Sequence, residues 1–209
     1  MAEQGRENRK LEGLANKDLR VCVYCGSSRH CDPAYLDAAE VLGRQLAKNR
    51  ITVVYGGGGS GLMGRLADGA LAEGGAVIGI LPRFMDELEW GHRGLAELQL
   101  VNDMHERKRL MITGANAVVA LPGGCGTLEE LLEAITLKRL GLYLGPIILV
   151  NILSFFDPLI ETLERCVAQR FMHHRHKSMW TIVEAAEEVL EAMRRAPSGD
   201  EDCRNFAAL

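Results

Sequence analysis

The chain has 209 residues, of which 47% are hydrophobic and 25% charged, with a formal net charge of −4. A chain of this size can bury one core, and its mild negative charge gives no general attraction to nucleic acid or to an anionic membrane. The polar N-terminus lacks the apolar core of a secretory signal, and no apolar run approaches the ~20 residues of a membrane span, so we expect a soluble, cytoplasmic protein.

Both ends of the chain differ in composition from the middle. Residues 1–18 and 197–209 are charged and carry no apolar stripe, so we expect two flexible tails. Residues 19–196 are expected to form a single domain.

Five short apolar runs alternate with amphipathic segments in this domain. The predicted strands are Arg20–Tyr24, Thr52–Tyr55, Ala76–Leu81, Ala117–Leu121 and Ile147–Asn151. Four of the five are almost continuously apolar, which is typical of parallel strands that are buried on both faces. The alternation predicts an α/β fold: a Rossmann-like, doubly wound parallel sheet with helices on both faces.

Helices are predicted between the strands, and two of them have clear starts. The clearest helical segments are Ala34–Lys48, the region around Asp103–Gly114, and Leu159–Gln169. Asp32 and Asp157 each stand before a proline, so each is predicted to be the N-cap of a helix whose first residue is proline. Glu97–Val101 is a candidate for one more strand.

Glycine-rich turns follow three strands, at Cys25–Ser28, Gly56–Gly64 and Pro122–Thr127. Glycine lets a ligand approach the backbone, and the free amides of a following helix attract anions, so the turns predict one phosphate-binding pocket. The glycines assigned to it are Gly57, Gly58, Gly59, Gly61, Gly64 and Gly123. Alternatively, they only allow tight turns and close helix packing. A match to the dinucleotide fingerprint at Gly59–Gly64 is weak, because it follows the second strand and the next strand lacks an acid at its tip.

Charged residues border these turns. Thr127 and Glu130 have the spacing of a capping box, in which case they only stabilise their own helix. Beside an anion site, the Glu130 carboxylate is equally a catalytic candidate. The segment Asp103–Arg109 places three cations near a helix start, where they oppose the helix dipole, so the segment either faces an anionic ligand or is a solvated face.

Three ordered motifs, Gly57–Gly64, Met104–Lys108 and Pro122–Glu130, together resemble the Lonely Guy (LOG) family of cytokinin riboside 5'-monophosphate phosphoribohydrolases, many of which carry the label lysine decarboxylase. The resemblance extends from about Val21 to Leu190. It implies a Rossmann-like homodimer that hydrolyses the N-glycosidic bond of N6-substituted adenosine monophosphates to the free base and ribose 5-phosphate. It implies a catalytic pair, Arg107 and Glu130. The substrate-binding residues it implies are Glu89, Lys108, Gly124, Cys125, Gly126, Thr127, Leu128, Glu129 and Thr136.

Other functions stay open at this point. A broader nucleosidase acting on AMP would use the same residues, and a non-catalytic carrier of a nucleotide or phosphorylated cofactor could use the same fold. A decarboxylase is disfavoured, because Lys108 and Lys138 lack the residues that accompany pyridoxal phosphate. Cys125 and the segment Ile152–Phe156 depart from the family pattern, which leaves the preferred base open.

We expect no cofactor and no metal ion. Cys22 and Cys25 lie three apart on a strand and therefore point to opposite faces, which suits buried thiols better than a shared ligand. The histidines of Met172–His176 predict a surface loop without ligands at metal-binding spacing. Met63, Met104 and Met111 either line a pocket for an apolar N6 group or belong to the core.

Overall fold

The structure, a computed structural model, describes residues 19–88 and 90–196. Seven strands are present in this part of the chain: β1 (Arg20–Tyr24), β2 (Thr52–Tyr55), β3 (Val77–Pro82), β4 (Glu97–Val101), β5 (Ala117–Ala120), β6 (Ile147–Val150) and β7 (Thr181–Val183). The five predicted strands are confirmed to within one residue at each end, and the additional strand at Glu97 is confirmed. The short strand β7 was not predicted from the sequence.

The α-helices of the described residues are α1 (Pro33–Lys48), α2 (Gly61–Ala72), α3 (Arg83–Glu87), α4 (Met104–Ile112), α5 (Cys125–Arg139), α6 (Asp157–Ala168) and α7 (Val189–Arg195). Asp32 is the N-cap of α1, as predicted, and its carboxylate accepts a hydrogen bond from the Ala34 amide at 2.9 Å. The same prediction for Asp157 is wrong, because Phe156 is the N-cap and Asp157 is already helical. The Asp157 carboxylate instead accepts a hydrogen bond from the Asn151 side chain at 2.7 Å.

All strand pairs are parallel, and the order across the sheet is β4-β3-β2-β1-β5-β6-β7. The chain winds outward from β1 through β4, returns beside β1 as β5, and then winds outward in the other direction. Buried clusters cover both faces, with Leu42 of α1 and Leu66 of α2 on one face and Leu131 of α5 and Leu163 of α6 on the other. The doubly wound, Rossmann-like sheet is confirmed, and its topological switch point lies between β1 and β5, where such sheets bind ligands.

The cysteine prediction is also confirmed. Cys22 and Cys25 are buried free thiols that belong to the core clusters on opposite faces of the sheet. Burial raises the pKa of both thiols. They are therefore neutral core side chains at physiological pH.

The predicted surface loop at Met172–His176 is only partly correct. Residues His174–Met179 form a 3-10 helix in which His176 is fully buried, with its Nδ1 accepting a hydrogen bond from the His173 amide at 3.1 Å. Within residues 19–88 and 90–196, no group of three or more histidine, cysteine or acidic side chains is arranged to hold a metal ion. None of the helices in these residues has the length and apolar character needed to cross a bilayer.

Three of the sequence predictions lie outside the described residues. They are the two tails, 1–18 and 197–209, and the substrate residue Glu89.

Candidate active site

The loops that follow β1 and β5 touch each other at the switch point. The Gly26 amide donates a hydrogen bond to the Pro122 carbonyl at 3.0 Å. A Cβ atom on Gly26 would come within 3.1 Å of the Gly123 Cα, and one on Gly123 would come within 2.8 Å of the Gly26 nitrogen. Gly123 therefore has no room for a side chain and Gly26 has little, and their contact positions the start of α5 over the carboxyl end of β1.

The start of α5, formed by Gly123–Thr127 and here called the cradle, is open and has no side-chain cap. Gly124 is the N-cap and contributes no side chain, and the amides of Cys125, Gly126 and Thr127 have no hydrogen-bond acceptor among the described residues. Cβ atoms on Gly124 and Gly126 would meet open space. Free amides at the positive end of a helix dipole are the groups that bind phosphate.

The capping box that the sequence left as an alternative for Thr127 and Glu130 does not form. Helix α5 begins at Cys125, so Thr127 lies inside the first turn, and no side chain caps the helix. Thr127 is buried, and its hydroxyl lies close to Gly123. Capping therefore does not account for Glu130, and the hydroxyl is close to the free amides of the cradle.

The second glycine-rich loop has a different character, because the protein itself occupies much of it. The Gly59 amide donates to the Trp90 carbonyl at 2.9 Å, and the Gly57 carbonyl accepts from the His92 amide at 2.9 Å. The remaining glycines of this loop are tightly packed: a Cβ atom on Gly61 would overlap the backbone of the loop after β1, and one on Gly64 would come within 2.6 Å of the Gly59 carbonyl oxygen. For most of this loop the structure provides the tight turns and close packing that the sequence left as the alternative.

Arg107 extends from α4 beneath the ends of two strands. It is only 6% exposed, although its helix is rich in charge. Its Nε donates to the Ile80 carbonyl at 3.1 Å, and its Nη2 donates to the Gly56 carbonyl at 2.9 Å. A Cβ atom on Gly56 would overlap the guanidinium, so glycine at this position makes the contact possible. Of the two alternatives for the cationic segment, a solvated face is wrong for Arg107.

Glu130 lies on α5 and is 4% exposed. None of the described residues donates a hydrogen bond to its carboxylate. Burial raises the pKa of Glu130 to about 7, although the positive charge of Arg107 opposes this shift. A buried carboxyl group that titrates near neutrality, beside a buried cation, is an arrangement suited to acid–base or charge-stabilising chemistry.

Lys108 links α4 to α5 through two carboxylates. Its ammonium forms an ion pair with Glu129 and another, at 3.3 Å, with Glu133. The hydrogen bond that the Lys108 ammonium donates to Glu129 is the main cause of a raised pKa for Lys108, so the lysine stays charged. Sequence reasoning missed Glu133, although it stands four positions after Glu129 and so shares its helix face.

The structure does not bring every predicted substrate residue to the cradle. Thr136 is exposed and lies nine positions after Thr127, about 13 Å further along the axis of α5 and on its opposite side. Its hydroxyl donates to the Leu132 carbonyl at 2.8 Å. Leu128 is half-buried behind the cradle. Within one chain, the cradle and the acids of α5 lie at the switch point, and Arg107 lies at the neighbouring ends of β2 and β3.

Comparison with known proteins identifies the family of this chain. Residues 63–193 match the protein-family model described as "Possible lysine decarboxylase". Over 154 residues the chain is 44% identical to the cytokinin riboside 5'-monophosphate phosphoribohydrolase LOG of Oryza sativa subsp. japonica, covering 73% of this chain and 63% of that protein. The chain belongs to the Lonely Guy (LOG) family. A bacterial relative, the cytokinin riboside 5'-monophosphate phosphoribohydrolase of Rhodococcoides fascians, is 38% identical over 175 residues, covering 83% of this chain and 88% of its own.

Solved structures with the same fold include proteins of other functions. The molybdenum cofactor carrier protein of Chlamydomonas reinhardtii aligns with a TM-score of 0.67 and 18% identity, covering 86% of this chain and 98% of its own. The molybdenum cofactor binding protein of Rippkaea orientalis aligns with a TM-score of 0.65 and 21% identity, covering 86% and 97%. At these identities the likeness concerns the fold, which the LOG family shares with carrier proteins.

Two glycines of the cradle provide a matched test of its structure in this LOG-family protein. Gly123→Ala is expected to lower the free energy of unfolding by about 1–3 kcal/mol, because the added methyl group overlaps Thr127 and Gly26. Gly126→Ala adds a methyl group in open space inside the first turn of α5, so we expect an equal or slightly higher melting temperature. We also expect a higher KM for a phosphorylated substrate, because the methyl group would stand where the phosphate is expected to bind. Thermal unfolding measures the stability of each variant, and steady-state kinetics measure its KM. Equal melting temperatures for the two variants would contradict the packing described for Gly123.

Proposed function

We propose that this protein hydrolyses the N-glycosidic bond of cytokinin riboside 5'-monophosphates, which are N6-substituted adenosine monophosphates, and releases the free base and ribose 5-phosphate. The observation that supports this most directly is the buried Glu130, whose pKa is raised to about 7, on the helix whose open N-terminus forms the cradle. The cradle, which is proposed to bind phosphate, and the Glu130 carboxyl group thus lie about one helical turn apart. The relatives at 36–44% identity bear the name of this activity.

In the proposed reaction, water adds to C1' of the ribose while the bond from C1' to N9 of the base breaks. The bonding electrons leave with the base, which takes up a proton, and positive charge develops on the sugar in the transition state. The Glu130 carboxylate stabilises this charge and orients the water. Arg107 polarises the departing base. It does so with the side of its guanidinium group that does not bind the carbonyls of Gly56 and Ile80.

The cradle residues Gly124, Cys125, Gly126 and Thr127 are proposed to bind the 5'-phosphate through the free amides and the Thr127 hydroxyl. Phosphate held there fixes C1' against Glu130, so that binding energy distant from the reacting bond orients the substrate. The remaining residues proposed to contact the substrate are Lys108, Leu128, Glu129, Thr136 and Glu89. Gly123 is proposed to hold the rest of the cradle in position through its contact with Gly26. The loop Gly57–Gly64 is proposed to contribute to substrate binding mainly through its backbone near Gly58.

The exposed position of Thr136 fits a homodimer, in which a second chain completes the pocket from outside. We therefore propose that the active protein is a cytoplasmic homodimer, and that residues 19–196 form its single nucleotide-binding catalytic domain. A chain acting alone would leave Thr136 without a role in the reaction.

The experiment that tests the function is an assay of purified protein with isopentenyladenosine monophosphate, followed by chromatography of the released base and of ribose 5-phosphate. We expect equal amounts of both products. Equal rates with AMP would identify a broader purine nucleotide nucleosidase. Ligand recovered unchanged in stoichiometric amount would identify a carrier. Carbon dioxide released from lysine with added pyridoxal phosphate would support the decarboxylase name.

A further inference from the structure

We propose that His92 is a positioning residue of the active site, because it fixes the backbone that in turn holds Arg107. Residues 90–94 are here called the brace, and Gly56–Gly59 are called the glycine run. The proposal rests on the proposed function and goes beyond it, since it assigns a role in the reaction to a side chain outside the proposed substrate contacts.

The glycine run needs support from outside itself. Four consecutive glycines have more backbone freedom than any other run of four residues. The Gly56 carbonyl nevertheless has a definite task, because it accepts the hydrogen bond from Arg107 Nη2 at 2.9 Å. Gly57 has a φ of +76°, which residues with a side chain rarely adopt. A catalytic group held by such a loop has one position only if another part of the chain fixes the loop.

The brace provides this support through its backbone. Three contacts join it to the glycine run: the hydrogen bond from the His92 amide to the Gly57 carbonyl, the one from the Gly59 amide to the Trp90 carbonyl, both at 2.9 Å, and the antiparallel bridge between Gly58 and Gly91. The Gly57 carbonyl is one peptide unit away from the Gly56 carbonyl. A shift of His92 is therefore transmitted to the oxygen atom that binds Arg107.

The His92 side chain anchors the brace to α2. Its Nδ1 accepts a hydrogen bond from the Gly94 amide at 3.1 Å, so the hydrogen of the ring is on Nε2. Nε2 donates this hydrogen to the Asp68 carboxylate at 3.0 Å. Asp68 lies on α2, the helix into which the glycine run leads. The ring is only 10% exposed and both of its nitrogens are engaged, which suits a holding role rather than proton transfer to a substrate.

The test separates the two contacts of the ring. His92→Gln keeps a donor that reaches Asp68, whereas His92→Asn keeps an acceptor for the Gly94 amide but does not reach Asp68. We expect His92→Asn and Asp68→Ala each to lower kcat for isopentenyladenosine monophosphate by about ten-fold, and His92→Gln to keep at least about half of it. The double variant Asp68→Ala/His92→Asn should lose no more than either single variant, because both remove the same contact.

Two measurements distinguish positioning from a general loss of stability. The inhibition constant of ribose 5-phosphate should change by less than about two-fold, because the cradle follows β5, and β1 separates β5 from the glycine run after β2. Asn116→Ala is the matched control, since it removes the hydrogen bond from the Arg20 amide at 2.9 Å at the opposite end of the sheet. It should lower the melting temperature by a similar few degrees and leave kcat unchanged.

A measurement without substrate keeps the proposal separate from the proposed function. The Arg107 Nε hydrogen is bound to the Ile80 carbonyl at 3.1 Å, and NMR measures its exchange with water. We expect this exchange to be about ten-fold faster in Asp68→Ala than in the wild type or in Asn116→Ala. If the wild type cleaves no nucleotide, the proposed function fails, and the exchange rate still decides the role of His92.

Three results would overturn the proposal. They are an unchanged exchange rate in Asp68→Ala, a loss of kcat no larger than that in Asn116→Ala, and a rise in the inhibition constant of ribose 5-phosphate that parallels the loss of kcat.

Discussion

Glu130→Gln is expected to lower kcat by at least about 100-fold while making the folded protein more stable above neutral pH. The loss of activity follows from removing the charge that is proposed to stabilise the sugar cation. The gain in stability follows from the burial of Glu130, which is 4% exposed and receives no hydrogen bond from the described residues. An ionised carboxylate in such a place destabilises the fold, and glutamine is never ionised.

The pH dependence of this gain has a definite sign. The ordinary pKa of 4.5 applies to the unfolded chain, and the folded pKa is about 7. Below the lower pKa both states are protonated and the fold carries no penalty. Between the two values the penalty grows, and above about pH 7 it is complete, at about 3 kcal/mol. Glutamine abolishes the penalty, so the difference in stability between variant and wild type must increase from pH 5 to pH 8.

Thermal unfolding of both proteins at pH 5 and pH 8 measures this difference directly. The melting temperature of Glu130→Gln is expected to exceed that of the wild type by several degrees at pH 8, with a smaller difference at pH 5. Glu164→Gln, which changes an exposed carboxylate on α6, serves as the control and should show neither effect. The activity of the wild type should also rise with pH through about 7, as Glu130 ionises. A difference in melting temperature that is constant with pH would contradict the assignment.

Removal of the 5'-phosphate from the substrate is expected to lower kcat/KM by about 1000-fold. The free amides of Cys125, Gly126 and Thr127 and the end of the helix dipole are proposed to bind the phosphate. Hydrogen bonds to a charged group contribute about 1.5–3 kcal/mol each, so two such bonds account for a loss of this size. The nucleoside retains its base and its C1', so the loss reflects the cradle alone.

The measurement compares isopentenyladenosine with its 5'-monophosphate under identical conditions. Ribose 5-phosphate should inhibit competitively, and ribose at the same concentration should not. Gly126→Ala provides the internal control, because it should weaken inhibition by ribose 5-phosphate without lowering the melting temperature. If the nucleoside were cleaved within about ten-fold of the nucleotide, the phosphate would lie elsewhere or contribute nothing to catalysis.

Much of the fold could be predicted because its strands are continuously apolar. Runs such as Ala117–Ala120 and Ile147–Val150 are buried on both faces, and composition reveals this without any tertiary information. The strand Thr181–Val183 escaped prediction because it has three residues and one of its side chains is exposed. Its pairing with β6 stabilises it as a strand, although its composition does not indicate one.

The site was less predictable, since its details depend on contacts between distant segments. The spacing of Thr127 and Glu130 predicts a capping box, but the contact between Gly26 and Gly123 determines where α5 begins. Likewise, the cation-rich start of α4 gives no indication that Arg107 would bind the carbonyls of Gly56 and Ile80. The start of α5 and the contacts of Arg107 both depend on which strand ends lie side by side in the sheet. The spacing of residues in the sequence does not show this.

The contact between the loops after β1 and β5 also constrains how the protein acquires activity during folding. The two strands come from opposite halves of the winding, and the hydrogen bond from the Gly26 amide to the Pro122 carbonyl joins residues 96 positions apart. Contacts of such long range form slowly, because the intervening chain must first be ordered. A nascent chain that has completed only β1 to β4 possesses Gly56 but has no cradle. Catalytic competence therefore arrives only when the second half of the sheet docks, and recovery of activity after refolding reports on that last step.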